Sequence, residues 1–403
     1  MYVYKNLDDV STIMKYGLWI CFFCCGFFAG CSLKAPDGEK LNLMTTSSVS
    51  ETFSGKPGIE EVTNYGLSSH PRLQVSRQEI MAAHGRRIQE TLWNNPKLET
   101  SVENVGTEKG GLKGSEATIS LAQELPLNGV LSLKSEIAGK EEEEAWWQYK
   151  EELSALVSDI YLAYYQAALE EKREESLKLL LEIASNFTEK IKNGYDSGKI
   201  AKADFLKAEV LENNARVKLS QVEISKLAAK QKLASLLACD ITKVPVFKNI
   251  SDIPEEKIPD LASLQEMIKQ APSLKKMESY YNRLILKKSQ LKREIWPNPE
   301  ISVGGRRNYE ENQNTLLFGI SFSLPVWNRN QGSIYELDAL LEKSLQEQKL
   351  ARIELGKELS LAYQKTIVSK QNLENYRSKI LPAVRESYEL SKKGYEEGKL
   401  PVL

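Results

Sequence analysis

The sequence predicts a mainly α protein with a minor β part: long antiparallel coiled-coil helical hairpins joined to four β-strands per chain. Two observations carry this expectation. Residues 316–332 open as a two-residue alternation, with Leu316, Phe318, Ile320, Phe322 and Leu324 on one face and Gly319, Ser321 and Ser323 on the other, a strand pattern. Past Pro325 the apolar spacing turns helical and stays so for about sixty residues, longer than any small core can cover, so the pattern points to a barrel joined to a tube. The chain also does this twice. Trp93-Asn94-Asn95-Pro96 recurs as Trp296-Pro297-Asn298-Pro299, Glu124-Leu125-Pro126 loosely as Ser323-Leu324-Pro325, and Tyr195-Asp196-Ser197-Gly198-Lys199 as Tyr395-Glu396-Glu397-Gly398-Lys399. The offsets all lie near two hundred residues and keep their order, the mark of an internal duplication.

From the start, residues 15–31 combine a positive beginning, a short apolar run and a small-residue pair before Cys31, which reads as a secretion signal over 1–30. Phe28-Ala29-Gly30-Cys31 resembles a bacterial lipoprotein box, with Cys31 as the lipidated first residue of the mature chain. Asp8 and Asp9 spoil the basic end of a signal, which makes Met14 an alternative start. After Cys31 only Cys239 remains, and one thiol builds neither a disulfide framework nor a cysteine metal site. Lys plus Arg (54) nearly balance Asp plus Glu (55), so charge gives no support to nucleic-acid binding.

Residues 31–67 read as an extended arm, rich in Ser, Thr, Gly and Asn from Leu41 onward. A first repeat follows over 68–239. Residues 70–93 form a helix with Ile80, Ala83, Ile88 and Leu92 roughly on one side; His70 and His84, the two histidines, are too far apart for metal-ligand spacing. Residues 98–107 and 117–125 alternate as strands across a Gly- and Lys-containing hairpin turn that lacks the ending of a phosphate loop. Residues 129–193 read as one helix, with a heptad through Leu153, Ile160, Ala167, Glu174, Leu181 and Thr188 and a partner row through Leu156, Ala163, Glu170, Leu177, Ala184 and Ile191. Nine of these twelve positions are apolar, enough for coiled-coil packing. Residues 193–198 carry turn chemistry, and 201–239 return as a second helix.

Residues 240–260, with Pro245, Pro254 and Pro259, form a linker. The second repeat, 261–403, opens with a helix to Trp296 interrupted near Pro272, gives strands at 301–309 and 315–324, and continues as a helix from Gly332 to about Lys393. Measured against the first repeat, about forty residues of returning helix are expected after the second hairpin tip and are absent.

Four strands cannot close a barrel, and a strand edge in lipid leaves backbone groups unpaired at several kcal/mol each. Three copies would supply twelve strands, within the range of outer-membrane barrels, and about ten tilted residues cover a band of about 25 Å; the alternative is a domain that closes by other means. Pro126 and Pro325 are placed to switch strand to helix, since proline ends ladder pairing. Trp93 and Trp296 precede the strands, where an amphipathic ring sits at a membrane interface or packs in a core.

On these residues the chain resembles the outer-membrane efflux protein family, the TolC-like channels. Trp-Pro-Asn-Pro-Glu-Ile at 296–301, Ser-Leu-Pro-Val-Trp-Asn-Arg-Asn-Gln-Gly at 323–332 and Leu-Pro-Ala at 381–383 look like its heavy-metal efflux branch, and the resemblance covers roughly 70–403. It implies a homotrimer: a twelve-stranded barrel in outer-membrane lipid, continued by an α-helical barrel across the periplasm. It also implies partners, a periplasmic adaptor (membrane fusion protein) and an inner-membrane efflux pump of the resistance-nodulation-division type. The hairpin tips that meet the adaptor would be Tyr195, Gly198 and Lys199, and again Tyr395, Gly398 and Lys399; the alternative is a turn without a partner. Asp204, just after the first tip, is the candidate periplasmic gate or else a solvated helix-start carboxylate. The function implied is a passive exit duct for metal ions or small toxic compounds, with no enzyme chemistry and no cofactor. The competing expectation is a periplasmic coiled-coil adaptor or scaffold lipoprotein, which should show one hairpin flanked by short β-domains where this chain shows two.

Overall fold

The computed structural model describes residues 57–106, 114–244 and 258–396. The chain divides into two units, Met1–Ser50 and Glu51–Leu403, and every described residue belongs to the second. Its elements are α1 (Ile59–Ser69), α2 (Pro71–Glu90), β1 (Lys97–Glu103), β2 (Glu116–Glu124), α3 (Val130–Asp196), α4 (Lys202–Leu236), α5 (Leu261–Ile268), α6 (Pro272–Arg293), β3 (Glu300–Asn308), β4 (Gln313–Ser321), α7 (Gln331–Asn375) and α8 (Leu381–Glu396). The architecture is the expected one, mainly helical with a four-stranded antiparallel sheet in the order β1-β2-β3-β4.

Helix α3 runs for 67 residues, about 100 Å at 1.5 Å per residue, with no proline to break it. Its first half lies between α2 and α6, and its second half packs against α4. The run Glu141-Glu142-Glu143-Glu144 uses that placement, because successive residues on a helix point about 100° apart. Glu142 meets His84 of α2 at 3.0 Å and Arg87 at 3.1 Å, while Glu141 and Glu144 take Arg283 of α6 at 3.2 and 2.7 Å. Burial raises the Glu144 carboxyl above its ordinary range, and Arg283 opposes that shift.

The α3–α4 hairpin follows the heptad. Leu156, Ile160, Ala163, Ala167, Glu170, Glu174, Thr188 and Ile191 are buried, and α4 contributes Ala208, Ala215 and Ala229, recurring at multiples of seven. Small alanines let the helices approach closely, and Thr188 donates its hydroxyl to the Ala208 carbonyl at 3.1 Å. The two charged positions in the row are matched: Glu174 pairs with Lys226 across the seam and with Lys178 at 2.9 Å, which holds its carboxyl below the usual range. Glu170 takes Arg173 at 3.1 Å and Gln166 at 2.8 Å.

The main core sits where α1, α2, α3 and the end of α4 meet, around Val62, Leu73, Ile80, Leu156, Ile160, Leu233 and Leu237. Burying each large side chain there contributes about 1.5–3 kcal/mol. Helix α1 corrects the sequence expectation of an extended arm to residue 67. Residues 59–67 are helical because Val62 and Gly66 press into this core, a tertiary cause that local composition does not announce. In α2, Ile80 and Ala83 are buried, but Ile88 is exposed, and so is Leu92 in the turn after the helix. His70 caps α2, its Nδ1 accepting from the Arg72 amide at 3.1 Å. The long final helix is not uniform either: a π turn at Tyr376–Ile380 separates α7 from α8, one residue before the Leu381-Pro382 step. Pro382 has no amide hydrogen and its ring crowds the preceding turn, and the widened turn accommodates both effects. Among the described residues no helix is long and apolar enough to cross a membrane, which says nothing of strands.

Candidate functional site

Register places the strand residues on two chemically distinct faces. Leu98 lies opposite Leu121, Thr100 opposite Ile119, Leu121 opposite Val303, Ile301 opposite Ile320, Val303 opposite Phe318 and Gly305 opposite Leu316. Directly paired residues share a face, so these side chains form one apolar surface across all four strands. It is open: Leu98 is 67% exposed, Leu316 68%, Phe318 78% and Ile320 72%. The other face carries Lys97, Glu99, Ser101, Glu103, Glu116, Thr118, Ser120, Glu300, Ser302, Arg306, Gln313, Thr315 and Ser321. A sheet with one uncovered apolar face and one polar face has the two-sided chemistry of a membrane barrel wall or of a protein interface. The outer edges of β1 and β4 have no strand partner among the described residues.

The rim below the sheet is tied across the duplication. Glu124 accepts from the Asn94 amide and from the Asn298 amide, each at 2.8 Å; Asn128 donates its side-chain amide to the Trp296 carbonyl at 2.9 Å, and its backbone amide reaches Asn298 at 3.3 Å. The sequence reading missed this clamp, although the asparagines of the repeated Trp-x-x-Pro steps signalled it. Pro126 and Pro325 sit in matching turns: Leu127 donates its amide to the Leu125 carbonyl at 2.8 Å, and Val326 to Leu324 at 2.9 Å. Both following helices start from a left-handed residue, Gly129 at φ +70° and Asn330 at φ +58°. A Cβ at Gly129 would also meet the end of the flexible Arg293 side chain, which would have to swing aside. Trp93 and Trp296 flank this rim and are 59% and 75% exposed.

At the far end of the α3–α4 hairpin, Gly198 takes φ +75° and donates to the Tyr195 carbonyl at 2.9 Å, and Lys199 donates to Gly194 at 2.9 Å. Tyr195 stacks on Phe205 of α4, ring centroids 5.5 Å apart. Asp204 lies in the first turn of α4 and pairs with Lys207 at 3.0 Å. Tyr395 falls in the last turn of α8, whereas Cys31, Gly398 and Lys399 lie outside the described residues. Pro126 on the rim side and Tyr195, Gly198 and Lys199 at the tip therefore lie at opposite ends of α3. Among the described residues no group of three or more His, Cys, Asp and Glu side chains is placed to hold a metal ion.

Residues 64–238 match the family described as outer membrane efflux protein. The cobalt-zinc-cadmium resistance protein CzcC of Cupriavidus metallidurans is 23% identical over 349 residues, covering 86% of this chain and 81% of that protein. Among solved structures, CusC superposes with a TM-score of 0.67 at 14% identity, covering 87% of this chain and 84% of CusC. The Campylobacter jejuni CmeC outer membrane channel gives 0.66 at 14%, covering 87% and 81%. These two likenesses show the fold.

Proposed function

We propose that this chain, whose residues 64–238 match the outer membrane efflux protein family, is the outer-membrane channel component of a tripartite, resistance-nodulation-division type efflux system. The observation that carries the reading is the four-stranded sheet with one continuous apolar face, one polar face and two open edges. In lipid each open edge must find a partner, and β4 of one copy set beside β1 of the next keeps the antiparallel alternation around a ring. Three copies give twelve strands. Nine residues at about 3.3 Å, tilted by about 40°, cover roughly the height of the apolar band.

In this reading the helices continue the pore below the membrane. The tip around Tyr195, Gly198 and Lys199, with Tyr395, Gly398 and Lys399 in the second repeat, meets a periplasmic adaptor that bridges to an inner-membrane pump. Cys31 carries the lipid anchor, the exposed indoles of Trp93 and Trp296 sit at the membrane interface, and Asp204 narrows the periplasmic end. The pump supplies the energy and the channel performs no chemistry. The resistance named for the cobalt-zinc-cadmium relative makes divalent metal ions the first cargo to test.

Two measurements test the proposal. Detergent-extracted protein should migrate as a heat-modifiable trimer, and the purified protein should conduct ions across a planar bilayer. A water-soluble monomer, or an assembled trimer without conductance, overturns the channel and favours a bridging scaffold.

A further inference from the structure

Resting on the channel reading above, we propose that each copy joins the next through a strand seam that repeats the in-chain β2–β3 seam residue for residue, with Ser321 of one copy opposite Glu99 of its neighbour. The internal duplication fixes this register. The shift that carries Trp93 onto Trp296 carries Lys97 onto Glu300, and the shift that carries Pro126 onto Pro325 carries Ala122 onto Ser321. Lys97 pairs with Ala122, and Glu300 pairs with Ser321, so the two hairpins have kept one pairing through the duplication. The β2–β3 seam sets Ala122 against Ser302 and Ser120 against Gly304. Its counterpart is β4 against β1, which β2 and β3 hold apart within one chain. The same shifts set Ser321 against Glu99 and Gly319 against Ser101, a pairing that only a second copy can supply.

The sheet and its rim agree with this register. Ile320 meets Thr100 and Phe318 meets Val102, so the apolar face continues across the seam, which an odd slip would turn into the pore. A Cβ at Gly304 would lie 2.7 Å from the Ser120 Cβ, a tight crossing, and its counterpart again joins a glycine to a serine with the strands exchanged. At the rim, Leu125 donates its amide to the Pro299 carbonyl at 2.9 Å and Asn298 donates to Glu124 at 2.8 Å. Their counterparts are Leu324 with Pro96 and Asn95 with Ser323, yet the Leu324 backbone amide and the Asn95 side-chain amide form no hydrogen bond among the described residues. Closure gives an independent check. Stepping from Lys97 through Ala122, Ser302 and Gly319 arrives at Ser101 of the neighbour, so one copy displaces the ladder by about 13 Å over about 19 Å of strand spacing. That is a tilt of about 35°, at the lower end of the range for barrels. A slip of two positions one way drops the tilt to about 20°; the other way raises it to about 45° and sets Glu103 against Gly319.

The test is disulfide trapping between copies of the full chain in detergent, under mild copper phenanthroline oxidation. In Ser321→Cys/Glu99→Cys most chains should become linked as a trimer that survives boiling and falls apart on reduction. Directly opposed Cβ atoms lie about 4.5–5.5 Å apart and diagonal ones about 7–8 Å, whereas a disulfide needs about 3.5–4.5 Å. Ser321→Cys/Lys97→Cys and Ser321→Cys/Ser101→Cys, one step either way on the same face, should therefore stay largely unlinked. So should each single variant and the wild type with its native Cys239. Ile320→Cys/Thr100→Cys reads the same register from the apolar face and decides the question where the first pair fails to assemble. Stronger linking through Lys97→Cys or Ser101→Cys, or an assembled trimer that neither matched pair links, overturns the register alone. A wild type that never forms the heat-modifiable trimer withdraws the channel reading and the seam with it.

Discussion

Glu124 on β2 and Asn298 before β3 are 174 positions apart in the chain, yet the asparagine amide donates to the carboxylate at 2.8 Å. The second carboxylate oxygen takes Asn94 at 2.8 Å, so one side chain fastens the approaches to β1 and β3 beneath their strands. Glu124→Ala removes both bonds. A hydrogen bond to a charged group contributes about 1.5–3 kcal/mol when sheltered, and partial exposure at the rim reduces that to about 1 kcal/mol each. The expected outcome is a lower melting temperature of the heat-modifiable trimer, with Glu124→Gln intermediate. Equal thermal stability of Glu124→Ala and wild type would show that the clamp is not structural.

Gly66 marks where α1 meets the core. A Cβ there would lie 2.7 Å from Ile160 Cδ1 and 3.2 Å from Leu237 Cδ2, and both neighbours are fully buried. Replacing a helical glycine by alanine gains about 1 kcal/mol of propensity, but overpacking a closed core costs about 1–3 kcal/mol. The second term wins. Gly66→Ala should be destabilised by about 1 kcal/mol in denaturant unfolding and Gly66→Val by more. A stabilised alanine variant would mean that Ile160 swings aside freely.

The residues of α1 also show where sequence reading stops. Thr63, Asn64, Gly66 and Ser68 are poor helix formers, and α1 exists because the core accepts its apolar side. The heptads of α3 were legible, even at Glu170 and Glu174, because a repeat sustained over many turns survives tertiary context. Strand existence was legible but strand ends were not. The alternation runs on through Phe322 and Leu324, yet the ladder stops at Ser321 opposite Glu300, because the next partner position is Pro299, which has no amide hydrogen. The chemistry of the rim lay in Asn94 and Asn298, which motif matching records as spacing and only three-dimensional pairing turns into a clamp.

The pairing of Glu174 with Lys226 and Lys178 makes the coiled-coil seam acid-sensitive. Hydrogen bonds to Lys226 and then Lys178 are the largest causes that lower its carboxyl in the folded state. A carboxyl lower in the folded than in the unfolded chain contributes stability that is present above its unfolded value, about 4.3, and is lost as pH falls through the folded value. The melting temperature should therefore fall on acidification below about pH 4, and Glu174→Gln should flatten that part of the curve while lying lower at neutral pH. Parallel curves for the two proteins would assign the acid response to other carboxylates.

Gly198 separates a turn that merely closes the hairpin from one that docks. Its φ of +75° is a left-handed conformation that costs a residue with a Cβ about 1–2 kcal/mol, and asparagine tolerates it better than alanine. No atom lies within 4 Å of the position a Cβ would take, so space in the isolated chain does not oppose substitution. Gly198→Asn should therefore preserve the turn while placing a side chain on the surface proposed to meet the adaptor. If the tip docks there, Gly198→Asn should assemble at wild-type abundance yet lose most metal export from cells carrying the matching pump and adaptor, and Tyr195→Ala, which removes the stack on Phe205, should do the same. Full export by Gly198→Asn at normal abundance would show that the adaptor meets the channel elsewhere.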